Sequence, residues 1–261
     1  MKGLFTNFLF LLVMIFFSCS NENARKTVID KPINDSIISI DDIKPKENLP
    51  TRLSDKNIVD YLNEYEIDNS ETIIKIITDF GDIKLKLYKN TPLHRVNFVQ
   101  LIKKGIYQNT QFSRVVKGFV IQGGSSNEVL AADKKFYLGD YTLPSEMSLK
   151  HIHKYGALAM SRTYNENPDK RSDAFDFYIV LGEKISDPTL YKIQKKGEFK
   201  YSKEQLHLYK TIGGTPHLDF EHTVFGEVIS GMSVVEKINK VEVDGHDWPR
   251  DNVVINLEVI K

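Results

Sequence analysis

One stretch in the middle of the chain, residues 112–124, constrains the fold more than any other. It reads Phe-Ser-Arg-Val-Val-Lys-Gly-Phe-Val-Ile-Gln-Gly-Gly. Gly118 divides it into two short runs that each contain β-branched residues, and glycine accepts the backbone angles of a tight turn better than any other residue. The pattern therefore predicts two antiparallel strands joined by a turn at Gly118.

The two faces of this predicted hairpin have opposite character. With the turn at Gly118, Val115 lies opposite Ile121, and this apolar pair is expected to point into a core. Arg114 lies opposite Gln122 on the other face, with Phe119 at the bend beside them. The outer face therefore carries a small polar patch next to an aromatic ring, on a rigid support.

Residues 112–124 resemble the signature of the cyclophilins, a family of barrel-shaped peptidyl-prolyl cis-trans isomerases. Residues 215–226 resemble the family's second signature, in which Leu-Asp-x-x-His precedes Val-Phe-Gly. The resemblance extends over residues 73–261. It implies a mainly β fold: a closed, antiparallel, eight-stranded cyclophilin-like barrel capped by two helices, here with a short helical insertion at residues 183–214.

The resemblance also implies roles for individual residues. Arg114 is implied as the catalytic hydrogen-bond donor, with Gln122 orienting it or the substrate backbone and Phe119 completing the catalytic set. The implied substrate-binding residues, which form the proline pocket, support it or lie at its edge, are Phe112, Met160, Asp176, Tyr178, His217, Leu218 and His222.

Several positions depart from the family pattern. Tyr178 stands where many relatives have Phe, Ser113 replaces a common His, and Asp176 replaces a common Gln. Asp176 could pair with Arg114 and reduce activity, or it could favour a differently charged peptide. These departures leave open a second interpretation, in which the pocket binds proline peptides as a chaperone or scaffold with little catalysis.

The implied chemistry requires no cofactor. Rotation about an X-Pro bond is slow because twisting the amide removes its resonance, with a barrier of about 18–20 kcal/mol. A catalyst needs only to bind the twisted form more tightly than the planar forms. In the twisted form the proline nitrogen gains a lone pair, to which a fixed guanidinium such as that of Arg114 can donate a hydrogen bond. The expected partners are proline-containing polypeptides.

Charge and ligand patterns argue against other classes of function. The chain has 35 Lys and Arg against 35 Asp and Glu, so nothing favours nucleic acid as a partner. His151 with His153, and Asp244 with His246 and Asp247, could suggest a metal, but neither group has the ligand spacing typical of metal sites, so these are read as loop residues. We expect no metal, no nucleic acid and a monomeric protein.

The first 18 residues have the pattern of a lipoprotein signal peptide. Met1-Lys2 is followed by an apolar run over residues 8–17, too short to span a bilayer comfortably, and Cys19 is the only cysteine in the chain. We predict lipidation of Cys19 and a membrane contact through that lipid anchor. The protein would then be exported to a bacterial cell envelope, facing the periplasm. A plain signal cut near Ser20, or an uncleaved anchor, is the alternative.

The rest of the chain divides at about Thr72. Residues 19–71 are predicted to be a flexible tether with a possible short helix at 54–68, either packed on the domain or free. Residues 72–261 are predicted to form the isomerase domain, with strands at 73–77, 83–87, 156–161, 175–180 and 253–260 and a helix between Thr91 and Gly105. The insertion is expected to hold two helices, 188–195 and 202–210, which either shape a substrate groove or pad the structure.

Overall fold

The computed structural model describes residues 52–124 and 129–260. The predicted signal peptide, Cys19 and the first part of the predicted tether lie outside these described residues.

Strands dominate the described chain. They are β1 (Leu53–Ser54), β2 (Ile73–Thr78), β3 (Gly81–Leu87), β4 (Thr110–Val116), β5 (Val120–Gly123), β6 (Gly139–Asp140), β7 (Thr142–Leu143), β8 (Ala157–Met160), β9 (Ser172–Asp173), β10 (Phe177–Val180), β11 (Val224–Ser230) and β12 (Val253–Ile260). The helices are α1 (Ile58–Glu66), α2 (Pro92–Lys103), α3 (Val129–Leu138), α4 (Asp187–Gly197), α5 (Lys203–Thr211) and α6 (Met232–Ile238).

Eight of these strands close into an antiparallel barrel in the order β10-β5-β4-β12-β2-β3-β11-β8, with β8 pairing back to β10. Each strand alternates between an inner and an outer face; in β3, for example, Ile83, Leu85 and Leu87 are buried and the lysines between them are exposed. Apolar residues of α2 and α6 join the same interior core. The predicted eight-stranded barrel capped by two helices is confirmed.

The packed part of the chain begins before the predicted boundary at Thr72. Helix α1 buries Ile58 and Leu62 in the main core, and β1 pairs in parallel with β6. Residues 53–66 are therefore part of the folded unit. The sequence left open whether this helix was packed or free because its amphipathic period says nothing about what covers its apolar face.

The insertion contains the two expected helices, α4 and α5. Ser202 caps α5: its hydroxyl accepts a hydrogen bond from the N–H of Gln205, whose side chain in turn accepts one from the N–H of Ser202. Leu190, Tyr201 and Tyr209 pack with Ile152 in a small core of their own. Helix α3 was not predicted. In the described part of the chain, no helix is both long enough and apolar enough to cross a membrane.

Candidate active site

The central hairpin forms with the predicted register. Arg114 pairs with Gln122 and Val115 with Ile121, and Gly118 adopts a φ of 66° in the turn. The register shifts between Phe112 and Arg114, which places an extra residue, Ser113, in β4. This bulge lets Phe112 and Val115 both face the interior core while Arg114 faces outward.

Asn239, directly after α6, holds the turn of this hairpin. Its side-chain amide donates to the carbonyl of Val116 at 2.9 Å, and its Oδ1 accepts the N–H of Gly118 at 2.8 Å. Asn239 is itself buried. A long-range clamp therefore fixes the loop that carries Phe119, and no local pattern in the sequence signals it.

A cavity of about 260 Å³ lies on the outer face of β5 and β10, and we call it the groove. Its lining joins six of the predicted site residues to four that the sequence did not single out for the site. The predicted ones are Arg114, Phe119, Gln122, Tyr178, Leu218 and His222; the additional ones are Val120, Ser161, Arg162 and Tyr164. Residues over 100 positions apart in the chain are thus brought to one surface.

Two residues assigned to substrate binding lie inside the barrel instead. The Phe112 and Met160 side chains are completely buried in the main core. Ala159, which precedes Met160 in β8, and Tyr178, its partner in β10, belong to the separate apolar cluster that supports the groove. The assignment of the Met160 side chain to the pocket is therefore wrong. The strict alternation of strand β8 could have revealed this, because Ala159 and Met160 must face opposite sides.

Two further residues assigned to substrate binding, His217 and Asp176, are not among the residues that line the groove. The ring of His217 stacks on Phe119, with 5.5 Å between centroids and 14° between planes. Burial lowers the pKa of His217. Burial likewise lowers the pKa of the Lys135 ammonium on α3, and the negative charge of Asp176 opposes that shift.

Arg114 forms an ion pair with Asp247, a residue that the sequence did not assign to the site. Arg114 Nε lies 3.4 Å from Asp247 Oδ2, and both side chains are 43% exposed. The backbone supports the contact, since the N–H of Val115 donates to the carbonyl of Asp247 at 2.8 Å. Asp244 shapes the turn by accepting the N–H groups of His246 and Trp248, and these bonds lower its pKa.

His222 lines the groove beside Tyr164. Its Nδ1 lies 3.2 Å from the carbonyl of Met160, which can only accept, so Nδ1 carries the proton. Nε2 of the neutral ring then accepts the hydroxyl of Tyr164 at 2.8 Å. Burial, and after it the neighbouring His153, lower the pKa of His222 to about 4. The groove wall is therefore uncharged here at neutral pH.

Arg162 and Tyr164 complete the rim. The Arg162 guanidinium donates to a Glu221 carboxylate oxygen at 2.7 Å and lies 4.1 Å from the centre of the Tyr164 ring. Arg162 is thus already bound on both sides. Arg114, nearly half exposed beside an apolar wall, is the guanidinium placed to donate to a ligand in the groove.

Among residues 52–124 and 129–260, no three His, Cys, Asp or Glu side chains are grouped to hold a metal ion. His153, considered above as a ligand, is engaged with Asp219 and Tyr178.

The geometry agrees with what comparison to known proteins shows. Residues 73–259 match the family model described as cyclophilin-type peptidyl-prolyl cis-trans isomerase/CLD. A protein of Staphylococcus aureus (strain USA300), whose name describes it as a candidate peptidyl-prolyl cis-trans isomerase, is 32% identical over 191 residues, 73% of this chain and 92% of its own. A similarly named protein of Staphylococcus haemolyticus is 31% identical, covering 73% of this chain and 91% of its own.

The fold has solved counterparts. A cyclophilin-type peptidyl-prolyl cis-trans isomerase of Cryptosporidium parvum superimposes with a TM-score of 0.52 at 21% identity, covering 73% of this chain and 98% of that one. The barrel, the groove on its outer face and the family match over most of the chain agree. The chain belongs to the cyclophilin-type peptidyl-prolyl cis-trans isomerases.

Proposed function

We propose that the groove binds an X-Pro segment and that Arg114 accelerates its cis-trans rotation. The observation that carries the proposal is the placement of the Arg114 guanidinium, paired in register with Gln122, beside the apolar cluster of Phe119, Tyr178 and Leu218. A Cryptosporidium parvum relative was also crystallised in the presence of the dipeptide Ala-Pro. This supports proline peptides as the ligand class.

Each part of the groove has a distinct role in this mechanism. The apolar cluster holds the pyrrolidine ring while the preceding residue turns, and it excludes water that would stabilise the planar, more charge-separated amide. Arg114 donates to the proline nitrogen, which accepts a hydrogen bond only once it is pyramidal. The interaction is therefore strongest in the transition state and accelerates rotation in both directions.

The exchange rate of an Ala-Pro peptide, measured by NMR with the 261-residue chain in detergent, tests the proposal. We expect Arg114→Ala to lower kcat/KM about 100-fold or more, the usual effect of removing one transition-state donor. Lys117→Ala is the matched control, because it removes an exposed positive charge from the same hairpin outside the groove. Equal rates for Arg114→Ala and the unchanged chain would contradict the mechanism. Binding without faster exchange would favour the chaperone interpretation.

We also propose that the protein assists folding in a bacterial cell envelope, anchored by lipid on Cys19 and facing the periplasm. The support is the short apolar run that ends just before the only cysteine of the sequence. Metabolic labelling with a radioactive fatty acid tests the anchor. We expect label in the unchanged chain and none in Cys19→Ser; equal label in both would overturn it.

A further inference from the structure

The buried carboxylate of Asp219 links the insertion to the segment just before β8, which contains His153. Asp219 Oδ1 accepts the backbone N–H and the Nδ1–H of His153, both at 2.8 Å. Its Oδ2 accepts the hydroxyls of Tyr201 and Tyr209 at 2.5 and 2.6 Å. The side chains of His153 and Asp219 are 1% and 3% exposed. Four donors therefore surround one carboxylate out of contact with water.

Both tyrosine donors belong to the insertion. Tyr209 lies on α5 and Tyr201 precedes it, and burial together with the charge of Asp219 raises the pKa of both hydroxyls, which keeps them protonated as donors. The insertion is also joined to the same segment through its backbone, since the N–H of Tyr155 donates to the carbonyl of Gly213 at 3.0 Å. Asp219 is thus held from two sides, by His153 in the segment before β8 and by the insertion.

The other end of His153 reaches the groove. Its Nε2 lies 3.0 Å from the hydroxyl of Tyr178, and the two rings stack at 14° with 6.1 Å between centroids. Because a carboxylate can only accept, Nδ1 donates to Asp219, which leaves Nε2 to form the hydrogen bond with the Tyr178 hydroxyl. Tyr178 is fixed with its hydroxyl turned to His153 and its ring in the groove wall, opposite Gln122 in the sheet.

We infer that the insertion sets the shape of the proline pocket through the chain Tyr201 and Tyr209, Asp219, His153 and Tyr178. His153 is in this sense a positioning residue: it contacts no substrate but fixes the ring that does. The inference rests on the proposed function, since it assigns an effect on the same groove. It gives the insertion a role in the reaction without any contact between α4 or α5 and the peptide.

A cycle of phenylalanine substitutions tests the coupling. The chain with both Tyr201→Phe and Tyr209→Phe loses two hydroxyls but no ring, and we expect its kcat/KM for an Ala-Pro peptide to fall about three- to tenfold. Tyr178→Phe removes the hydroxyl through which the effect must pass. In that background the same two substitutions should lower kcat/KM by less than about 1.5-fold.

A tyrosine of the insertion outside the Asp219 cluster provides the control. Tyr191→Phe, on the exposed face of α4, should leave kcat/KM unchanged. Thermal unfolding identifies a variant that is not folded at the assay temperature, in which case Tyr209→Phe alone replaces the pair. The coupling would be overturned if the two substitutions lowered kcat/KM equally with and without the Tyr178 hydroxyl, or did not lower it at all. The proposed function would survive either result as long as Arg114→Ala still abolished activity. An unchanged kcat/KM in Arg114→Ala would instead contradict the proposed function, and this inference with it.

Discussion

Two buried histidines of this protein are held by carboxylates in the same way but end at different places. Glu146 Oε2 accepts both the backbone N–H and the Nδ1–H of His94, at 2.9 and 2.6 Å. Asp219 Oδ1 does the same for His153. In both pairs the carboxylate fixes the tautomer and the direction of the ring, so that Nε2 points at a single hydroxyl.

The hydroxyl at the far nitrogen distinguishes the two pairs. His94 Nε2 lies 2.8 Å from the buried Ser172 hydroxyl, and Glu146 also accepts the N–H of Leu93, so this pair caps the start of α2. His153 Nε2 lies against Tyr178 in the groove. The same local device therefore serves architecture in one region and the active site in the other. What the ring touches, and not the pair itself, decides its role.

The largest effect is expected from removing the more heavily bonded carboxylate. Asp219→Ala leaves four buried donors without their acceptor, and we expect the free energy of unfolding to fall by about 3–5 kcal/mol. Urea denaturation measures it, with the exposed Asp79→Ala as control. A loss below about 1 kcal/mol would mean that solvent or rearranged neighbours replace Asp219 easily.

A third buried histidine, His222, has no carboxylate on its ring nitrogens and provides the contrast in pH dependence. Its pKa in the folded protein is about 4, below the ordinary 6.5, because burial disfavours its charged form. Between these values the unfolded chain binds a proton that the folded protein does not, so stability falls as the pH decreases from 6.5 to 4.

The expected size of this loss is about 2–3 kcal/mol, from 1.36 kcal/mol per pKa unit. Urea denaturation at pH 7 and pH 4 should show it as the difference between the unchanged chain and His222→Gln, which keeps hydrogen-bonding groups but does not titrate. Identical pH dependence in the two chains would show that His222 is not held neutral by burial.

Disrupting the Glu146 and His94 pair should lower stability without lowering activity. Glu146→Ala removes the acceptor for Leu93 and His94, and we expect a stability loss of about 1–3 kcal/mol. Because this pair does not reach the groove, kcat/KM measured well below the unfolding temperature should stay within about twofold. His153→Ala should instead lower kcat/KM. If both substitutions changed activity equally, the proposed distinction between the two pairs would be lost.

The sequence predicted the parts of the site that depend on neighbouring residues. The hairpin register follows from a glycine turn flanked by alternating side chains, and it places Arg114 beside Gln122 as observed. The family signature brought Leu218 and His222 to the same groove. Met160 was assigned to the wrong face because the assignment followed the family resemblance. The alternation of side chains along β8 instead places Met160 in the barrel core.

The remaining site residues depend on contacts that no local pattern encodes. Asn239 clamps the hairpin from the end of α6, and Asp247 reaches Arg114 from the loop before β12. The Asp219 cluster joins three segments of chain. Each residue type is ordinary in a loop, and only closure of the barrel and packing of the insertion give it a partner.

The smallest effect is expected where a charged pair is exposed. Arg114 and Asp247 are each 43% exposed and 3.4 Å apart, so water screens their attraction, unlike that within the His153 and Asp219 pair. Asp247→Asn should change the free energy of unfolding by less than about 1 kcal/mol. It should change kcat/KM by no more than about threefold, because the backbone bond to Val115 still fixes the loop and the guanidinium keeps its place on the sheet.

NMR exchange of an Ala-Pro peptide and urea denaturation measure the two quantities. A loss of activity approaching that of Arg114→Ala, with stability unchanged, would show that Asp247 orients the guanidinium for the reaction, and an exposed pair would then matter as much to the groove as the buried one.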